Sequence, residues 1–170
     1  MRSTEIVNAF WDDVWNAHQP DAVDRFVSDD VVIEAGGQEI SGKDNIKSWV
    51  KQFLDRVNDL HVDTIETFQT EDGTRVTSRW VLTGTNNGIL GTEPNGKPVA
   101  MTGTAVWTVD DEKLQRGWVE QASFELYHYL LANYRLTRSR RLLVARAQSS
   151  SPSPLHPAPR PNPRRTAPAT

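Results

Sequence analysis

In the first third of the chain, apolar residues recur three or four positions apart, which is the spacing of one buried helical face. The first such segment, residues 3–17, places Trp11 and Trp15 on the same side. A short second helix is predicted over residues 21–27. A third follows Ser41-Gly42-Lys43-Asp44, and its apolar positions are Ile46, Trp49, Val50, Phe53, Leu54 and Val57.

Strands are predicted where apolar and polar residues alternate or β-branched residues cluster. These segments are residues 31–35, 60–68, 75–84 and 99–109, with a mobile loop over residues 86–98. Helices combined with antiparallel strands predict an α+β fold: a helix-covered cone whose curved, mixed or antiparallel sheet encloses a cavity. The predicted apolar strand faces are Val76, Trp80 and Leu82, then Val99, Met101, Gly103, Ala105, Trp107 and Val109.

The stretch from Lys113 to Leu130 contains the most informative acidic residue. Read with a period of two, it predicts a strand with Glu120 on an otherwise apolar side, among Leu114, Trp118, Ala122 and Phe124. Two interpretations follow. Glu120 acts as a general acid or base in the cavity, or it is a carboxylate at the rim that pairs with a base such as Arg116.

Composition and charge narrow the classes of function. A chain of 170 residues suits one domain, and the absence of cysteine excludes disulfides, thiolate nucleophiles and cysteine metal sites. Neither a signal peptide nor an apolar run of about 18 residues is present, so we expect a cytoplasmic protein. Residues 1–131 hold 22 acidic and 11 basic residues, a net charge of −11, which argues against nucleic acid as partner of the folded domain.

The C-terminal part differs sharply in charge, because 8 arginines and no acidic residue follow residue 131. We predict a basic helical extension over residues 132–147. Residues 148–170 hold seven of the ten prolines, and a composition rich in proline, arginine and serine predicts disorder. Such a tail either binds RNA or an anionic membrane or has no selected role, so its partner is unknown.

Four segments, in order, resemble one known family: FWDDVWNAHQPDAVDRFVSDDVVIEAGG, ISGKDNIKSWV, RWVLTGTNNGILGTEPNGKPVAMTG and DDEKLQRGWVEQASFELYHYL. Residues 4–131 are similar to the SnoaL-like polyketide cyclases of the nuclear-transport-factor-two-like superfamily. The resemblance implies a helix-covered cone, usually dimeric, that binds a small apolar molecule without a metal or organic cofactor. It also implies aldol cyclisation, with an acidic residue of the cavity as general acid and base. Relatives of this fold include ketosteroid isomerases, epoxide hydrolases and hydroxylation-assisting proteins.

Two positions depart from the pattern that the family implies. Where an Asp is expected, four residues after the tryptophan of the last strand, this chain has Ala122; where a His is expected after Gly84-Thr85, it has Asn86. An alanine cannot transfer a proton. Glu120 lies two residues earlier, about 6.5–7 Å along a regular strand, and could reach part of the same space. Removing a proton next to a carbonyl needs a carboxylate whose pKa burial has raised.

The remaining candidates concern binding. Aromatic and small side chains of the last strands are expected either to line a pocket for an apolar ligand or to form an ordinary core. The four histidines lack metal-ligand spacing, so no metal site is predicted. We expect cyclisation or isomerisation by acid–base chemistry; the alternatives are a non-catalytic binding or assembly protein and an epoxide-opening or hydroxylation-assisting relative. The predicted lining residues are Trp80, Met101, Ala105, Trp107, Trp118 and Ala122.

Overall fold

The computed structural model describes residues 2–132. Six strands form one sheet, and the helices precede, interrupt and follow them. The helical elements are α1 (Ser3–Phe10), a π-helix (Trp11–Asn16), a 3-10 turn (Pro20–Ala22), α2 (Val23–Phe26), α3 (Lys43–Arg56), a second 3-10 turn (Ile89–Gly91) and α4 (residues 123–132). The strands are β1 (Val27–Ala35), β2 (Gln38–Ser41), β3 (Val57–Gln69), β4 (Arg75–Asn86), β5 (Pro98–Asp110) and β6 (Lys113–Gln121).

The first predicted helix is continuous but changes type at Trp11. At its start, Arg2 N–H donates to the Glu5 carboxylate at 2.9 Å. From Trp11 the hydrogen bonds lengthen to a five-residue spacing, as in Ala17 N–H to Asp12 C=O at 2.8 Å. The wider turn accommodates two bulky indoles, Trp11 and Trp15, on the side that faces the sheet; both are buried.

The sheet has the strand order β2-β1-β6-β5-β4-β3 and is mixed, because β1 and β6 run parallel while the other neighbours are antiparallel. Strand β3 lies at one edge, where unpaired backbone groups invite further pairing. The Asn16 side chain covers part of this edge with two hydrogen bonds to the Val62 backbone. Asn16 Nδ2 donates to Val62 C=O at 3.0 Å, and Val62 N–H donates to Asn16 Oδ1 at 2.7 Å.

The concave side of the sheet follows the predicted alternation on β4 and β5. All nine predicted inward residues of these strands are buried, as is Ser78 between Val76 and Trp80, and the residues that alternate with them on the opposite face are half-buried or exposed. Two glycines let the backbone approach large rings: a Cβ on Gly103 would overlap the Trp80 indole, and a Cβ on Gly117 would overlap Trp107. The tryptophans therefore lie flat on neighbouring strands, and the cone is filled largely by indoles.

The predicted facing of β6 is wrong, and a β-bulge is the reason. Val109 pairs with Leu114 and Thr108 pairs with Arg116, so Gln115 is an extra residue. The bulge reverses the side that every later residue faces. Trp118 and Glu120 lie on the convex side, opposite Val106 and Thr104 of β5. The strand then ends at Gln121, and Phe124 lies in α4, exposed rather than inward.

The structure confirms the predicted fold class, an α+β cone with helices over a curved mixed sheet. The predicted basic extension over residues 132–147 and the predicted disorder of residues 148–170 lie outside the described residues, apart from Ala132 at the end of α4. Among residues 2–132, none of the helices is both long and apolar enough to cross a lipid bilayer.

Candidate functional site

A small, narrow cavity lies between the helices and the concave side of the sheet. Its volume is about 20 Å³, enough for a single water molecule and far below the roughly 300–1,000 Å³ of common small-molecule sites. Any ring-containing ligand would therefore have to displace side chains that now fill the cone. The cavity is lined by Trp11, Trp15, Trp49, Phe53, Val62, Trp80, Leu82, Val119 and Gln121.

Three aromatic rings close this cavity on the helical side. Trp15 of the π-helix meets Trp49 of α3 at 5.4 Å and Phe53 at 5.8 Å between ring centroids. Trp49 and Phe53 are themselves 5.5 Å apart, and all three contacts are edge-to-face. Trp15 is buried, whereas Trp49 and Phe53 are half-buried. The two α3 rings therefore separate the cavity from solvent.

The polar groups of the cavity are almost all hydrogen-bond donors. Trp11 Nε1–H donates to the buried Ser78 hydroxyl at 3.0 Å. The Nε1 atoms of Trp15 and Trp80 are buried and have no hydrogen-bond acceptor among residues 2–132. Gln121 adds one amide, and no residue that lines the cavity has an ionisable side chain. These donors suit a ligand that carries hydrogen-bond acceptors. None of the lining residues has a group that gains or loses a proton near neutral pH.

The predicted lining residues fall into three places. Trp80 lines the cavity. Met101, Ala105 and Trp107 are buried in the core of the concave side but do not line the cavity, and Trp107 packs against Phe10 at 5.4 Å. Whether these residues contact a ligand stays a prediction.

The other two predicted lining residues lie away from the cone interior. Trp118 is half-buried on the convex side, where the guanidinium groups of Arg75 and Arg116 lie 5.4 and 5.3 Å from its ring. Ala122 follows the end of β6, and its N–H donates to Thr102 C=O at 2.9 Å. Ala122 does not line the cavity; it lines an open cleft together with Trp80 and Gln121, which also line the cavity, and with residues of the convex side such as Glu120.

Glu120 is exposed and lines that open cleft, which has a volume of about 530 Å³ and also contains Arg79 and Glu125. Arg116 does not pair with it. The Arg116 guanidinium instead bonds Glu34 and lies 3.9 Å from Glu39, and the hydrogen bond to Glu34 raises the pKa of Arg116. The suggested ion pair between Glu120 and Arg116 is therefore wrong. The role of Glu120 as a general acid or base stays a prediction.

Asn86, at the position where the family pattern suggests a histidine, is buried and organises the loop before β5. Its Nδ2 donates to Thr92, Glu93 and Asn95 at 2.9–3.1 Å. Its Oδ1 accepts the backbone N–H groups of Gly88 and Ile89 at 2.9 and 3.0 Å. The amide thus satisfies backbone and side-chain groups on both sides of a turn, which an imidazole could not do. Asn86 is a structural residue in this chain.

Sequence reasoning missed most of the cavity because it concentrated on the strands. The available signal was the pair of tryptophans four residues apart on the first helix and the Trp49–Phe53 pair, also four apart, on α3. Gln121 gave no signal, because only the bulge at Gln115 turns it inward. Among the described residues, no group of three or more histidine, aspartate or glutamate side chains could hold a metal ion.

Solved structures of similar fold come from several bacteria. A protein named as a candidate SnoaL-like polyketide cyclase from Jannaschia sp. CCS1 has 17% identity and a TM-score of 0.69, covering 75% of this chain and 90% of that chain. A candidate polyketide cyclase from Acidithiobacillus ferrooxidans has 24% identity and a TM-score of 0.68, over 78% and 96%.

A SnoaL-like polyketide cyclase from Agrobacterium tumefaciens str. C58 has 19% identity and a TM-score of 0.66, over 76% and 98% of the two chains. At these identities the likeness establishes the fold alone. No protein of curated function matches this chain. The SnoaL-like domain family matches residues 7–117, from α1 to the middle of β6. The chain therefore belongs to the SnoaL-like domain family.

Proposed function

We propose that this chain binds a small, planar and largely apolar molecule of the polyketide type inside its cone, and that no side chain of the cavity transfers a proton to it. One observation carries the proposal: an aromatic cavity without ionisable lining residues lies on the opposite side of the sheet from Glu120. Flat aromatic walls favour a flat ligand, because stacking and edge-to-face contacts need parallel or perpendicular ring planes.

The ligand enters between Trp49 and Phe53 in this proposal. These rings of α3 line the cavity and are half-buried, and the volume of about 20 Å³ requires them to move. A protein whose binding-competent state is only partly populated shows a reduced apparent affinity. Removing one of the two rings should therefore strengthen binding, because fewer side chains then have to move before the ligand can enter.

The experiment compares two half-buried tryptophans on opposite sides of the sheet. Binding of 1,4-naphthoquinone is measured by calorimetry for the wild type, Trp49→Ala and the control Trp118→Ala; with no cysteine in the chain, the quinone has no thiol to modify. We expect Trp49→Ala to bind roughly fivefold tighter or more, and Trp118→Ala to match the wild type. Equal effects of both substitutions, or no binding by any of the three proteins, would contradict the proposal.

A second candidate function places acid–base catalysis in the open cleft. The supporting observation is that Glu120 shares a cleft of about 530 Å³, a size common for ligand sites, with Arg79 and Glu125. Here Glu120 would take a proton from a carbon next to a ketone. The measurement is hydrogen–deuterium exchange of 2-tetralone, followed by NMR.

This candidate requires the wild type to accelerate the exchange, Glu120→Gln to abolish the acceleration and Glu125→Gln, the control, to keep it. Our leading proposal expects no acceleration by any of these proteins, so the same measurement separates the two functions. An acceleration that survives in Glu120→Gln would exclude Glu120 as the base.

A further inference from the structure

Two Asn–Gly sequences lie in the loop between β4 and β5, at Asn87-Gly88 and Asn95-Gly96. Asn–Gly is the dipeptide most prone to spontaneous deamidation, because glycine has no side chain to hinder attack by its backbone nitrogen on the preceding amide. Both glycines have a positive φ, 101° for Gly88 and 66° for Gly96, which residues with a side chain rarely adopt. The loop therefore needs these glycines and contains two chemically labile sites.

Deamidation begins at the glycine N–H group. This group gives its proton to hydroxide, and the nitrogen attacks Cγ of the asparagine. The Cγ–Nδ2 bond breaks as Nδ2 takes up a proton from water, so ammonia leaves and a succinimide ring remains. Water then opens the ring at either carbonyl and produces an aspartate or an isoaspartate. The attack requires a glycine N–H that is free of other partners.

Asn86 binds the glycine nitrogens of both pairs. Its side-chain Oδ1 accepts Gly88 N–H at 2.9 Å, and its backbone C=O accepts Gly96 N–H at 2.9 Å. Asn86 is only 1% exposed, so water does not compete for these hydrogen bonds. One buried residue thus occupies both groups that would start the reaction.

The two asparagine side chains are held as well. Asn87 Nδ2 donates to Asp55 C=O at 2.8 Å. Asn95 Oδ1 accepts hydrogen bonds from Asn86 Nδ2 and from Lys97 N–H, both at 3.1 Å. Attack needs the amide carbon to face the glycine nitrogen, which these hydrogen bonds oppose. Deamidation therefore requires the loop to open locally.

We propose that Asn87 and Asn95 are latent sites of deamidation and that Asn86 suppresses the reaction at both. The proposal is independent of any ligand in the cone. It gives the amide at position 86 a chemical role besides its structural one. Each event would add a negative charge to the loop, and an isoaspartate would also lengthen the backbone next to the buried Ile89.

The test measures deamidation at each asparagine by peptide mapping after the full chain has been incubated at mildly alkaline pH. Asn86→Ala should deamidate at Asn87 and Asn95 at least about tenfold faster than the wild type, because the loop loses the side-chain partners that keep it closed. Asn16→Ala is the matched control. It also removes a side-chain amide with two hydrogen bonds to backbone, but these bonds go to Val62 on β3, so both rates should equal those of the wild type.

Asn86→Asp separates the two sites. The aspartate keeps an oxygen for Gly88 N–H but loses the donor that holds Asn95 Oδ1. Asn95 should therefore deamidate faster than in the wild type, while Asn87 stays close to the wild-type rate. A faster reaction at Asn87 alone would overturn the roles given to the two side-chain atoms of Asn86.

Unfolding the wild type in guanidinium chloride gives a test without any substitution. Both sites should deamidate at least about tenfold faster in the unfolded chain than in the folded one. Equal rates in the two states would overturn the proposal, even if Asn86→Ala does not fold. An equal acceleration in Asn86→Ala and Asn16→Ala would also overturn it, since the protection would then come from global stability rather than from Asn86.

Discussion

The two sides of the sheet use tryptophan in opposite ways. On the concave side, Trp80 is buried against the bare backbone of Gly103 and beside the Trp11 ring. On the convex side, Trp118 lies within cation–π distance of Arg75 and Arg116, and Arg116 in turn bonds Glu34. Tryptophan is thus part of a cavity wall without ionisable residues on one side and of a charged outer surface on the other.

The two sides differ in where ionisable groups lie. This location, rather than the presence of a cone, decides on which side of the sheet acid–base chemistry could take place. A carboxylate lifts its pKa toward neutrality when it is buried away from water. Glu120 is exposed, and the inward position next to it on β6 is held by Gln121, an amide that does not titrate. One residue along the strand separates a solvent-facing acid from a cavity-facing amide.

The largest effect is expected from adding a single methyl group to the concave side. In Gly103→Ala the new Cβ overlaps the Trp80 indole, which the packed core cannot displace without strain. We expect a loss of about 2–3 kcal/mol in the free energy of unfolding, measured by urea denaturation. Thr104→Ala, the next residue and on the convex side, is the control and should change it by less than about 0.5 kcal/mol. Similar values for the two variants would contradict the packing described for Trp80.

Moving a carboxylate from the outside to the inside should have the next largest effect. Gln121→Glu places an acid at the cavity wall, and burial should raise its pKa above the usual value of about 4.3. Because the folded-state pKa is then the higher one, the cost is absent below about pH 4 and grows as the pH rises toward the raised value. We expect about 1–2 kcal/mol of destabilisation at pH 7, since Gln121 is only half-buried.

Glu120→Gln is the control on the exposed side of β6, and it should change the free energy of unfolding by less than about 0.5 kcal/mol at pH 7. A pH-independent difference for Gln121→Glu, or a loss for Glu120→Gln as large as that for Gln121→Glu, would reverse the assignment of the two sides of β6.

The smallest effect is expected for the ion pairs of the convex side. Arg116 bonds Glu34, but both side chains are about 40% exposed, with values of 43% and 40%, so water and salt screen the interaction. Arg116→Gln should lower the melting temperature by about 1–3 °C in dilute buffer and by less in about 1 M salt. A large, salt-independent loss would mean that Arg116 acts through packing on Trp118 instead.

Much of the fold could be predicted from the sequence, because local periodicity decides it. Strand β5 alternates without interruption from Val99 to Val109, so its inward face was predicted residue by residue. On β6 the same reasoning failed at Gln115, since a bulge depends on pairing with β5 and leaves no period in the sequence. The π-helical turn at Trp11 was hidden because apolar residues three or four positions apart fit an α-helix equally well, so the sequence does not reveal the five-residue hydrogen bonds.

The candidate site could be predicted less well than the fold. Trp80 was identified because it follows the alternation of β4. Trp49 and Phe53 were recognised as a helical face, but their position at the cavity wall depends on how α3 packs against the π-helix. Glu120 was placed on the same side of β6 as Leu114 because the two are six residues apart. The extra residue Gln115 in the bulge turns Glu120 to the opposite side. Long-range packing, which a single sequence does not reveal, decides all three outcomes.

The most direct test of the central claim asks which side of the sheet meets the ligand. Nuclear Overhauser effects are measured between 1,4-naphthoquinone and the methyl groups of a Leu- and Val-labelled protein. Val62, Leu82 and Val119 line the cavity, whereas Val81, the chain neighbour of Leu82, and the β5 residue Val106 are half-buried on the convex side. Binding inside the cone predicts contacts to Val62, Leu82 and Val119 and none to Val81 or Val106. Contacts to Val81 and Val106 would place the ligand on the charged outer side and contradict it.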